Sequence, residues 1–183
     1  LASKSPRRKK LLKQIGLSFK VIPSEVDENF DIELSPSEFV SHYAKKKADS
    51  IAKKYPGYYV IGADTIVVYN EQILGKPNSK TESYEMLSLL SGKIHKVYTG
   101  VSIQHDDHNI NKTFYDVTNV SINTLSNEDI YYYIKAYNPY DKAGSYGIQD
   151  FFSVHVNKIN GCFYNVMGFP LSSFYYHFSK IIK

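Results

Sequence analysis

Val60-Ile61-Gly62-Ala63-Asp64-Thr65-Ile66-Val67-Val68-Tyr69 is the stretch on which the fold turns. It is β-branched and apolar without clean alternation, so the segment from Tyr58 to Tyr69 reads as a strand buried on both faces. Such a strand needs covering layers, and the flanking sequence supplies them. Ser35-Pro36-Ser37-Glu38 is a capping box with proline at the first helical position, and Phe39, Tyr43, Ala44, Ala48 and Ile51 follow at helical spacing, which predicts a helix from about Pro36 to Lys53. Downstream, Asn70-Glu71 turns the chain into Ile73-Leu74, and Ser79-Lys80-Thr81-Glu82 caps a helix to about Leu90 that Gly92 closes. Ile94 to Gln104 and Phe114 to Leu125, joined by the polar stretch His105 to Asn111, form a hairpin pattern. Ser126 opens a helix through Tyr137, Val154 to Ile159 reads as a strand, and Pro170 starts a last helix.

Upstream, Ser5-Pro6 followed by Arg-Arg-Lys-Lys-Leu-Leu-Lys-Gln-Ile and Gly16 reads as a short helix, with Leu1 and Ala2 as the stub of a strand before it. Ser18 to Pro23 reads as a second strand, and the acidic stretch Glu25 to Glu33 as a loop. Mixed strands and helices predict an α/β or α+β architecture. Residues 1–183 carry no repeat and no low-complexity linker, so the expectation is one domain, or two closely packed lobes.

Composition excludes several classes. The longest apolar runs are a few residues, far below the roughly 20 that cross a bilayer, and the charged start, Lys4, Arg7, Arg8, Lys9 and Lys10, lacks a signal-peptide core. It reads as trimmed, not targeted. Cys162 is the single cysteine, which forbids an internal disulfide and points to a reducing cytosol, so the Asn111 and Asn119 glycosylation triplets are discounted. The net charge of +4 suits a small anionic ligand without demanding nucleic acid.

Three clusters carry chemistry. Ser3-Lys4-Ser5-Pro6-Arg7-Arg8 lies between a strand end and a helix start, where free N–H groups, the helix dipole, hydroxyls and guanidiniums can hold phosphate; a capped helix with a solvated basic face is the plainer alternative. Asp64 stands in an apolar strand, where a carboxylate is costly unless paired, protonated or bound to a cation; a bulge beside Gly62 is the alternative. Gly75-Lys76-Pro77 puts a lysine on a constrained segment able to reach back toward Asp64. Lys47 lies one turn after Tyr43, near the apolar face, although an exposed lysine with a packed stem is the commoner outcome. Glu25, Asp27 and Glu28 form an acidic loop that could ligate metal or merely be solvated. His105-Asp106-Asp107-His108 has metal-type residues, but at a hairpin tip with no further ligands nearby in sequence. Walker and Gly-x-Gly-x-x-Gly loops are absent.

Taken together, Leu1 to Arg8, Gly62-Ala63-Asp64-Thr65, Gly75-Lys76-Pro77, Leu90-Ser91-Gly92, Asp141 to Gln149 and Gly168-Phe169-Pro170 resemble the Maf family, in the same order and over nearly the whole chain. The resemblance implies a fold similar to the inosine triphosphate pyrophosphatases, a long mixed sheet with helices in two lobes and a central nucleotide cleft. It also implies hydrolysis of nucleoside triphosphates to monophosphate and pyrophosphate with magnesium or manganese. On this chain Asp64 matches the proton acceptor, and Glu28, Lys47, Lys76 and Arg8 match residues that hold metal or phosphates. Asp64 and Glu28 would be the metal carboxylates, and Ser3 and Ser5 would add hydrogen bonds.

Arg7, Thr65 and Gln149 resemble the family's dTTP and UTP subgroup rather than the 7-methyl-GTP subgroup. The amide of Gln149 has a donor and an acceptor suited to a uracil or thymine edge. Asp150-Phe151-Phe152 departs from the glycine that usually follows this glutamine. A homodimer is a further expectation from the resemblance, with no stable nucleic-acid or membrane partner. The rival readings are a 7-methyl-GTP or modified-purine pyrophosphatase, a nucleotide-binding regulator of cell division, and an RNA-binding module using the basic first helix.

Overall fold

The computed structural model describes residues 1–30 and 32–182. In chain order these form α1 (Pro6–Gln14), α2 (Pro36–Ala52), β1 (Val60–Tyr69), β2 (Gln72–Leu74), α3 (Lys80–Leu90), β3 (Ile94–His105), β4 (Ile110–Ile122), α4 (Asn127–Tyr137), β5 (Val156–Asn160), α5 (Phe163–Val166) and α6 (Leu171–Ile181), with short 3-10 turns at Pro139–Asp141, Ala143–Ser145 and Phe151–His155. One five-stranded sheet runs in the order β2-β1-β3-β4-β5. The mixed α/β class expected from the sequence is the class observed. No helix among the described residues is long and apolar enough to cross a membrane.

The chain divides into two compact units, Leu1–Thr65 with Tyr98–Asp116 and Tyr164–Lys183, and Ile66–Val97 with Val117–Phe163. The division passes through the long strands: β1 belongs to the first unit up to Thr65 and to the second from Ile66.

In the first unit, α2 begins at the capping box read from sequence, with Ser35 Oγ accepting from the Glu38 N–H and Glu38 accepting from the Ser35 N–H at 3.0 Å. Its buried face is Phe39, Val40, Tyr43, Ala44, Ala48, Ile51 and Ala52. The helix backbone lies directly on the sheet because two glycines make room: a Cβ on Gly62 would strike the Ala44 carbonyl and Ala48, and one on Gly100 the Val40 carbonyl. This contact fixes α2 against the part of β1 that carries Asp64.

In the second unit, Asn70 and Glu71 both take positive φ (46° and 65°), which is the two-residue hairpin turn that joins β1 to β2 with Tyr69 opposite Gln72. β5 pairs antiparallel with β4, with an irregularity between Ser121 and Ile122.

Two sequence expectations change. Ser18 to Pro23 is extended but forms no regular strand: the Leu1 amino group donates to the Lys20 carbonyl (2.7 Å) and the Ile22 N–H to the Leu1 carbonyl (3.0 Å), a pairing with one residue and not with a strand. Leu1 and Ala2 do align with β1, through the Ala2 N–H on the Ile61 carbonyl at 2.8 Å. The strand expected from Val154 starts instead at Val156, because Asp150 caps a 3-10 turn over Phe151–His155 by accepting from the Phe152 N–H at 3.1 Å.

Candidate active site

At the start of α1, Ser5 is the N-cap, its hydroxyl accepting from the Arg8 N–H at 3.4 Å, while its own N–H donates to Ser3 Oγ at 3.2 Å. Proline at the next position needs no acceptor and pre-sets the first helical turn. The helix thereby projects Arg8 back over the segment that precedes it. Arg8 donates from Nε to the Gly168 carbonyl (2.9 Å), from Nη1 to Ser3 Oγ (3.1 Å) and from Nη2 to Thr65 Oγ1 (2.9 Å). A guanidinium has five N–H donors; three are engaged here, leaving one N–H on each terminal nitrogen, the fork that suits a phosphate. Burial lowers Arg8 from its ordinary guanidinium value and nearby Asp64 opposes that, and the group stays cationic.

Donor counting orients the hydroxyls behind Arg8. Thr99 Oγ1 donates to the Asn165 carbonyl at 3.1 Å, which uses its single hydrogen. Thr65 Oγ1, 3.0 Å from Thr99 Oγ1 and farther from the Gly168 carbonyl at 3.5 Å, therefore gives its hydrogen to the nearer Thr99 and meets Arg8 as an acceptor. Thr65 thus holds Arg8 in place. Thr99, fully buried, is invisible to sequence reasoning: within an alternating strand it reads as one more β-branched residue.

The second half of the cluster forms around Lys47. Its Nζ lies 2.6 Å from Asp64 Oδ1 and 2.5 Å from Glu28 Oε1. The Asp64 side chain is 3% exposed, that of Lys47 12% and that of Glu28 23%. The sequence alternatives for Asp64 and Lys47 are thereby decided: the carboxylate in the apolar strand is paired, and the lysine on α2 turns inward rather than to solvent. Glu28 stays near it because its loop is fastened to α2. Tyr43 Oη accepts from the Asn29 N–H (2.7 Å) and donates to the Asn29 carbonyl (3.1 Å), and Ser24 and Ser50 share a hydroxyl contact at 3.0 Å. Sequence periodicity marked Tyr43 as core; its hydroxyl also positions the acidic loop.

Burial raises the Asp64 carboxyl above its ordinary value, more than Lys47 and Arg8 pull it back. Its Oδ2 is buried with no hydrogen-bond partner among the described residues. A buried oxygen in that position is either protonated or awaits a donor or cation. No group of three His, Cys, Asp or Glu among the described residues could hold a metal by itself. Two carboxylates still suit magnesium or manganese, which take one or two protein oxygens and complete their shell from phosphates and water. His105 and His108 lie 4.3 Å apart between ring centroids with their planes tilted by 51°, likewise without a third ligand among the described residues.

Ser3, Ser5, Arg8, Glu28, Lys47, Asp64 and Thr65 therefore share the first unit, with Arg7 partly exposed on α1 beside them. Lys76 and Gln149 belong to the second unit, both exposed. The loop of Lys76 is tied to the glycine-rich segment by the Gly144 N–H on the Gly75 carbonyl at 3.0 Å.

A family model described as Maf-like protein matches residues 1–181. This chain belongs to the Maf family. Among similar proteins, one named dTTP/UTP pyrophosphatase from Bacillus thuringiensis subsp. konkukian (strain 97-27) is 49% identical over 172 residues, 94% of this chain and 89% of the relative. Proteins of the same name from Bacillus anthracis (49% identical) and Bacillus cereus strain AH820 (48%) match over the same shares of both chains. The Maf resemblance read from six short motifs is thus upheld over the whole chain.

Proposed function

We propose that this Maf protein is a nucleoside triphosphate pyrophosphatase acting on dTTP and UTP, adding water at the α-phosphorus to yield the nucleoside monophosphate and pyrophosphate. The observation that carries the reading is the Lys47 ammonium joined to Glu28 and to Asp64, whose second oxygen is buried and unpartnered. The names of the similar Bacillus proteins support the substrate choice. Asp64 orients the attacking water and accepts its proton, a task for which a carboxyl raised by burial is a stronger base than an ordinary one. Lys47 holds Asp64 and Glu28 in register, and Arg8 offers its remaining N–H pair to phosphate oxygens as charge builds on the leaving pyrophosphate. Ser3 accepts from Arg8 and the Ser5 N–H and keeps its own hydrogen for a phosphate oxygen. Lys76 adds a further cation, and Gln149 reads the pyrimidine edge. Glu28 and Asp64 would hold magnesium or manganese, which when bound neutralises phosphate charge and acidifies water. The same reading includes a cytosolic setting and a homodimer.

Hydrolysis of UTP in oxygen-18 water tests it. The label is expected in UMP with unlabelled pyrophosphate. Label in pyrophosphate would move attack to the β-phosphorus, and UDP with orthophosphate as products would refute the cleavage position.

A further inference from the structure

The segment after Ala143 ends in a tight turn: the Asp150 N–H donates to the Gly147 carbonyl at 3.3 Å, so Ile148 and Gln149 occupy the two central positions. Ile148 is 3% exposed and anchors the turn inward, while Gln149 is exposed at its tip. Both ends of the turn are fastened to one phenol. Tyr133 Oη, on the buried face of α4, accepts from the Gly147 N–H at 3.0 Å and lies 3.2 Å from both oxygens of Asp150, to which it donates. Asp150 Oδ1 also accepts from the Phe152 N–H at 3.1 Å, which starts the following 3-10 turn, and Lys142 Nζ stands 3.9 Å from Oδ2. Gly147 has to be glycine for this arrangement, since a Cβ there would collide with the Asp150 carboxylate and with Lys142. The Tyr133 ring is locked in turn by packing on Phe152 (4.9 Å) and Tyr137 (5.3 Å).

We propose that Asp150 and Tyr133 form a strut that fixes the direction of the Gln149 amide, making both of them positioning residues for pyrimidine selectivity. The inference rests on Gln149 reading the base, as proposed above. An amide on three rotatable side-chain bonds discriminates only if its backbone is held, because an edge contact misplaced by about 1 Å loses most of its hydrogen-bond directionality. Asp150 supplies that hold here through its hydrogen bonds to Tyr133 and Phe152. Asparagine keeps one acceptor oxygen for Tyr133 and Phe152 without the charge; alanine keeps none.

The test is the ratio of kcat/KM for UTP to that for GTP, with magnesium present, in the full chain. Asp150→Ala and Tyr133→Phe are each expected to lower the ratio about fivefold or more, and Asp150→Asn to stay within about twofold of the parent. In a Gln149→Ala background, where the ratio is already reduced, Asp150→Ala should add nothing, an outcome that a merely structural role would not produce. If folded Asp150→Ala and Tyr133→Phe keep the parent ratio while Gln149→Ala lowers it, the strut is overturned and the base reading stands. A ratio unchanged by Gln149→Ala removes the base reading and the strut with it. Should Asp150→Ala fail to fold, Tyr133→Phe decides: a lowered ratio supports the strut and an unchanged one overturns it. An Asp150→Asn variant as unselective as Asp150→Ala would replace the strut by an effect of charge.

Discussion

Lys47→Met removes the cation from two carboxylates while nearly conserving side-chain volume, and its consequences follow from burial. Asp64 is 3% exposed and Glu28 23%, so neither can regain full hydration when the ammonium 2.6 and 2.5 Å away is lost. Breaking a buried ion pair from one side costs about 3 to 5 kcal/mol, which is a large share of the roughly 5 to 15 kcal/mol that holds a domain together. The cost should depend on pH with a definite sign. Without Lys47 the folded-state value of Asp64, already raised by burial, rises further above its unfolded value. Relative stability is then greatest at low pH, where Asp64 is protonated in both states, and is lost as pH rises through the folded-state value. Urea unfolding at pH 8 and pH 5.5 should therefore show a deficit that shrinks on acidification. The double variant Lys47→Met/Asp64→Asn, which leaves no orphaned buried charge in β1, should recover about half of the loss or more. A single variant as stable as the parent at both pH values would refute the claim that Lys47 neutralises a buried carboxylate.

Arg8→Lys retains charge but cannot make three divergent hydrogen bonds to Gly168, Ser3 and Thr65 while presenting a fork; pyrophosphate release should fall about a hundredfold with an unchanged circular dichroism spectrum, and parental kcat/KM would remove Arg8 from the phosphate site. His95 is 2% exposed, and burial pulls it down to about 4 while its Nε2 meets Tyr146 Oη at 2.7 Å. It stays neutral in the folded state, so its contribution, about 3 kcal/mol from the gap to an ordinary histidine, is complete above about pH 6.5 and is lost as pH falls toward 4. His95→Gln, which keeps a partner for Tyr146 but does not titrate, should show a shallower acid loss in urea melts, and parallel profiles would exclude His95 as a source. Gly62→Ala should destabilise by about 3 kcal/mol, the upper range for overpacking, because the new methyl meets helix backbone at Ala44; thermal melting within a degree of the parent would show that α2 can retreat.

Much of this architecture is local and was therefore legible along the chain. Capping boxes, proline at the start of a helix and the Asn70-Glu71 turn act through hydrogen bonds spanning a few residues, and α2, α4 and the β1–β2 hairpin appear where those signals stand. Asp64 was legible for a related reason, since a carboxylate in an apolar strand violates the burial rule that its neighbours obey. Ser18 to Pro23 was misread because alternation reports which residues can pair, and not whether a partner strand is present.

By itself the sequence determined the element types, the family and the chemical types of the site residues, because periodicity, caps and motif spacing are properties of contiguous residues. Tertiary structure alone decided that Lys47 turns inward to join Glu28 to Asp64, that Thr99 orients Thr65 and so Arg8, and that Tyr43 fastens the acidic loop. Each of these is a contact across at least fourteen residues, and no local preference encodes it. A lysine or threonine has the same intrinsic propensities whether it faces water or a buried carboxylate. For Lys47 the close approach of α2 to the sheet, allowed at Gly62 and Gly100, brings it to the carboxylate.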